Sequence, residues 1–62
     1  MDIINLMNKR TTQIQKEIKG LRARLALLNP DTKDYKYLLD EIKIREKELR
    51  NIAEAKAGMK MN

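Results

Sequence analysis

The sequence predicts an all-α fold, an antiparallel two-helix hairpin of coiled-coil type, and three observations predict it. Ile4, Met7, Thr11, Ile14, Ile18, Leu21, Leu25 and Leu28 recur at alternating spacings of 3 and 4, an unbroken heptad seam. Tyr35, Leu38, Ile42, Arg45, Leu49, Ile52, Lys56 and Met59 repeat the same alternation after a break. The single proline, Pro30, falls in that break, within Asn29-Pro30-Asp31-Thr32. A proline disfavours helical geometry at the residue before it, so a helix has to stop there. The two seams mirror each other about the turn. Numbers of facing residues add up to 63, so Leu28 faces Tyr35, Leu25 faces Leu38, Leu21 faces Ile42 and Ile14 faces Leu49.

The elements follow in order as one domain, residues 1–62, with a helix over 2–28, a turn over 29–32, a helix over 32–57 and a frayed tail over 58–62. Asp2 serves as N-cap of the first helix, its carboxylate at the positive end of the helix dipole. Thr11 is the one polar member of the first seam. Its methyl can pack, and its hydroxyl can return to a backbone carbonyl. Gly20 lies mid-helix, away from the seam, with Lys16, Ala23 and Leu27 around it, and costs about 1 kcal/mol relative to alanine. Its functional reading is a flat patch where another helix can approach.

Asp31 or Thr32 caps the second helix, and Asp34 in its first turn suits the dipole. With Thr32 as cap, Tyr35 takes the third helical position. Arg45 occupies a seam position opposite Ile18. Glu41, four residues before it, and Glu48, three after, are its expected ion-pair partners, with the aliphatic stem covering Ile18. Tyr37, Ile44 and Ala55 form a second, weaker stripe off the seam. Gly58 is placed as the left-handed residue that ends many helices.

Composition narrows the function classes. The chain contains no His, no Cys and no Ser, which removes the usual general base, the thiol and hydroxyl nucleophiles of common triads, and the commonest metal ligands. Asp40-Glu41 and Glu46/Glu48 are read as a solvated carboxylate face on a Lys- and Arg-rich helix. The expectation is a protein without catalysis, cofactor, metal or small-molecule substrate. The first residues lack a basic leader and an apolar run, and no segment has the apolar length of a membrane span, so a cytoplasmic location is expected.

Net charge is +5 and unevenly placed. Residues 1–28 carry six Lys/Arg against two Asp/Glu, and residues 29–62 carry eight against seven. The first helix is therefore the basic element, and Lys9, Lys16, Lys19, Arg22 and Arg24 are its candidate contacts to phosphate or to an acidic partner. Against nucleic acid stand the spread of those cations around the helix and the absence of interleaved aromatics for base stacking.

Two helices touching along one stripe bury little apolar surface, and chains this short generally rely on a staple, a metal or a partner. With cysteine absent, association is the expected route: an antiparallel homodimer forming a four-helix bundle, or docking on another protein. Ile3, Leu6, Leu27, Tyr37 and Ile44 lie off the seam among Lys and Arg, and are the expected protein-interface residues.

The layout resembles small helical-hairpin regulators. One is the plasmid RNA-binding protein Rop, a dimer of hairpins. Another is the group of Spo0E-like hairpin phosphatases, to whose first helix the run Ile18…Leu21-Arg22…Leu25 is similar. The Ser-Gln-Glu-Leu-Asp signature of the latter is absent, since the chain reads Tyr37-Leu38-Leu39-Asp40-Glu41, and no functional residue carries over. Small size and an Asn- and Lys-rich, non-catalytic composition associate with bacteriophage- and plasmid-type proteins that redirect host machinery. The expected function is a non-catalytic helical interaction module, a regulator, inhibitor or adaptor binding a host protein. The alternative is a Rop-like dimer that binds RNA or DNA through the basic first helix.

Overall fold

The computed structural model describes residues 2–60, apart from the Lys60 side chain. Two helices, α1 (Ile3–Leu25) and α2 (Lys33–Lys60), pack against each other as a helical hairpin, with no strand among the described residues. The molecule is a rod of 48 × 17 × 13 Å. No helix in the described residues is long and apolar enough to cross a membrane.

Three of the four helix ends have a local chemical cause among the described residues. The Asp2 carboxylate accepts from the Ile4 backbone N–H at 3.0 Å, satisfying one of the free donors of the first turn. At the other end of α1 the hydrogen bonds shorten their reach. Leu27 N–H donates to Arg24 O at 3.0 Å and Leu28 N–H to Leu25 O at 3.1 Å, the three-residue pattern that tightens a last turn. A turn over Asn29–Thr32 then reverses the chain. Thr32 N–H donates to Asn29 O at 3.0 Å, and the Asn29 side-chain oxygen accepts from Asp31 N–H at 3.1 Å. Thr32 caps α2 by accepting from Tyr35 N–H at 3.2 Å while its hydroxyl donates to Asn29 O at 2.8 Å.

The mirrored seams form the interface. Ile14, Ile18, Leu38 and Ile42 are buried, Ile14 completely; Ile14, Ile18 and Ile42 form one cluster, against which Leu21, Leu25, Leu49 and Ile52 pack. Every seam position read from the sequence is buried or half-buried except Met59, at the open end of the hairpin. The four polar contacts between the helices join Arg10 to Glu48, Glu17 to Arg45, Asn8 to Lys56 and Arg22 to Glu46, so the number totals of the pairs centre on 63.

Several boundaries differ from the sequence reading. The first helix ends at Leu25 and not at 28, because the tightened turn over residues 26–28 starts the reversal before Pro30 is reached. The second helix runs to Lys60 and not to 57. Gly58 has no positive φ and continues the helix instead of capping it, so of the expected tail only Met61 and Asn62 remain, outside the described residues. The hydroxyl return expected of Thr11 is found on Thr12, which donates to Asn8 O at 3.1 Å.

Two substitutions measure what holds this fold. Ile14→Ala should cost about 2–5 kcal/mol, as for a fully buried aliphatic residue, and should abolish most far-UV helical dichroism at ambient temperature in a hairpin with so thin a core. Thr32→Ala should cost about 1 kcal/mol in urea unfolding while leaving the spectrum of the folded state intact.

Candidate functional site

Closing the seam sorts the remaining side chains onto two flanks and two outer faces, because residues three and four apart share a helix face. One flank carries a polar network. The Arg10 guanidinium donates through Nε and Nη2 to the two carboxylate oxygens of Glu48, at 2.7 and 3.2 Å, a two-pronged contact across the helices. Arg45 donates to Glu17 on α1 at 3.2 Å and to the carboxylate of Glu41 one turn back on its own helix. It also donates to the Glu41 backbone carbonyl at 3.1 Å. The other flank carries Arg22–Glu46 at 3.1 Å and the Lys56 ammonium donating to the Asn8 side-chain oxygen.

This corrects one expected pairing. Glu48 pairs with Arg10, and the second partner of Arg45 is Glu17, from the opposite helix. Spacing along α2 places Glu48 within reach of Arg45. The rotation of the two helices instead presents Glu48 to α1, where a two-pronged partner waits. Of the five cations expected as phosphate contacts, Arg22 is drawn into the contact with Glu46. Lys9, Lys16, Lys19 and Arg24 have no ion pair among the described residues and spread from the outer side of α1 to both its flanks.

The expected interface residues all stand in solvent, with Leu27 at 87%, Tyr37 at 63% and Ile44 at 61% exposure, and Ile3 and Leu6 less so. They do not make one patch. Leu27 and Tyr37 both line an open cleft of about 410 Å³ near the turn, together with Arg24, Leu28, Asp34 and Leu38. Ile44 lies two turns further along α2, and Ile3 and Leu6 lie at the open end. Leu39 is half-buried beside the seam, a position the heptad reading passes over because it falls between two seam residues. A second hollow, of about 390 Å³, opens over Gly20, bounded by Lys16, Glu17, Leu21, Arg24 and Arg45. A Cβ placed on Gly20 meets nothing within 4 Å.

The network sets the charge states. Hydrogen bonding to Arg45, then to Tyr37, holds the Glu41 carboxyl below its ordinary value, and Arg10 does the same for Glu48. The Glu41 carboxylate in turn pushes the Tyr37 phenol up, chiefly through hydrogen bonding. Among the described residues no polar side chain is buried and no group of carboxylates is arranged to hold a metal. What this surface offers chemically is therefore apolar contact, paired charge and free cations. Compared with protein-family profiles, curated proteins and solved structures, the chain matches none.

The lowered carboxyls make stability depend on pH with a definite sign. A carboxylate depressed in the folded state adds stability above its unfolded pKa, and loses it as pH falls through the folded value. The thermal midpoint should fall as pH drops through and below the ordinary carboxylate range. In Glu48→Gln part of that fall should be missing, and the remaining pH dependence should shrink in high salt, both read by circular dichroism melts.

Proposed function

We propose that the chain is a cytoplasmic, non-catalytic helical interaction module that dimerises as a hairpin and binds another protein as a small regulator, inhibitor or adaptor of the phage or plasmid type. One observation carries this reading. With the seam closed, Ile3, Leu6, Leu27, Tyr37 and Ile44 still face solvent, next to a surface whose excess charge is positive. Apolar centres with charged surroundings are the usual anatomy of a protein interface, with tyrosine favoured as an anchor. Capture from the native host with immobilised parent, Tyr37→Ala and Ile44→Asp chains tests it. A protein retained by the parent and lost by the variants, at unchanged helicity, supports the reading; equal retention by all three moves the binding surface elsewhere. Charge reversal at Lys16 and Lys19 should slow association with an acidic partner and reduce its salt sensitivity, since exposed charges act mainly on the encounter rate.

The second reading, a dimer that binds RNA or DNA through α1, draws support from Lys9, Lys16, Lys19 and Arg24, which have no ion pair among the described residues. Its signature is a steep linear fall of log affinity with log salt, abolished by charge reversal at Lys16, Lys19 and Arg22. Filter binding or fluorescence anisotropy that detects no affinity for either nucleic acid at low salt removes it.

A further inference from the structure

The flank that carries the Arg10–Glu48 and Glu17–Arg45–Glu41 contacts differs from the rest of the surface. Arg10, Lys16, Arg24 and Arg45 are balanced in number there by Glu17, Asp34, Glu41 and Glu48, so it is close to neutral while the whole chain carries +5. It also holds the hollow over Gly20 and, on the opposite helix, the exposed side chain of Ile44. Numbers of facing residues total 63, and Gly20 with Ile44 total 64, so hollow and knob sit within about one residue rise, ~1.5 Å, of the same height along the rod. Leu27 with Tyr37 also total 64, and Arg24 with Glu41 total 65.

We propose that this flank is a self-association surface, on which a second copy of the chain packs about a two-fold axis parallel to the helices, each Ile44 seated in the hollow over Gly20 of the other copy. Such an axis exchanges α1 and α2 at constant height. It therefore brings Tyr37 onto Leu27 of the second copy and Arg24 to Glu41 of the second copy, twice over by symmetry. An axis across the rod, centred between Leu6 and Leu27, would instead set Ile44 against a Glu48 carboxylate and Arg10 near Arg24, an apolar group on a charge and two like charges together. Every adjacent helix pair in the proposed bundle runs antiparallel, which also suits the helix dipoles.

Area and charge together point to a second copy as the occupant. A compact monomer of 7.3 kDa should expose about 4,200 Å² by the surface scaling of folded proteins, whereas this chain exposes 5165 Å². The surplus, roughly 1,000 Å², is close to the ~800 Å² that each partner buries in a standard interface. A near-neutral, self-matching flank suits a second copy better than an acidic partner, which the basic outer side of α1 fits. The inference rests on the interaction-module reading and assigns its residues Leu27, Tyr37 and Ile44 an occupant.

Sedimentation equilibrium of the parent, Gly20→Gln and Ile44→Asp chains tests it, with far-UV dichroism on each. The parent should be dimeric at micromolar concentration. A Cβ at Gly20 meets nothing within 4 Å, so Gly20→Gln projects into the hollow from an unobstructed start and improves helix propensity. It should keep or gain helicity in the monomer and weaken dimerisation by about tenfold or more, as should Ile44→Asp. Because the chain contains no cysteine, an Asp31→Cys variant takes one spin label at each turn. Labels separated by much less than the 48 Å rod length support the parallel axis, and a separation near that length overturns it. A monomeric parent, or a dimer indifferent to both substitutions, overturns the surface itself. A monomeric parent that still captures a host protein through Tyr37 overturns this inference while leaving the interaction-module reading standing. Dimerisation lost in the variants with capture unchanged supports the inference and moves the partner to the basic side.

Discussion

The hairpin depends on one thin contact, the cluster in which Ile14 and Ile18 of α1 pack with Ile42 of α2. Only Ile14 is wholly shielded from water, so the cluster has little depth, and the other features act by keeping it aligned. The Asn29–Thr32 turn holds the helices at mirror register. The contacts of Arg10 with Glu48 and Arg45 with Glu17 resist sliding on one flank, and Arg22 with Glu46 does so on the other. A slip by one residue would turn the apolar stripe about 100° out of the interface, so such polar pins matter more for uniqueness than for energy.

How far this could be read in advance depends on where the determining interaction sits. The seam is a local periodicity, and the structure buries or half-buries every position of it except Met59, which is helical but exposed at the open end. The Asp2 and Thr32 caps are likewise local, each decided within three residues. Helix ends are not. Proline forbids helix at Asn29 but says nothing about where the preceding chain begins to tighten, and a glycine such as Gly58 tolerates the helix it was expected to stop. Ion pairing is less local still. Glu41 and Glu48 are both spaced to reach Arg45 along α2, and only the facing helix, with Arg10 and Glu17 on it, decides between them.

The candidate surface divides along the same line. That Leu27, Tyr37 and Ile44 lie off the seam follows from counting residues, and so does their exposure. That Gly20 opens a hollow bounded by Arg45 does not, because α1 alone places the glycine on an outward, featureless side. Charge shows the same contrast. The sequence marks α1 as basic, but the assembled hairpin gathers the carboxylates Glu17, Glu41 and Glu48 on one flank and leaves Lys9 and Lys19 without an ion pair among the described residues. The result is one side able to meet its own kind and one side that attracts acids.

The mirror register also sets an order of events in time. Residues whose numbers total 63 are close in sequence near the turn and far apart near the free ends, so the entropy of closing each contact rises steadily outward. Leu28 and Tyr35 can meet after a loop of a few residues, whereas Ile4 and Met59 wait for nearly the whole chain. Folding on such a layout proceeds as a zipper from Asn29–Thr32, with the mostly local contacts that favour rapid formation. Opening runs the other way, from Ile3 and Lys60 inward. Backbone amides of the turn-side core, around Leu21 and Ile42, are then the slowest to exchange with solvent, and those of the first and last turns the fastest.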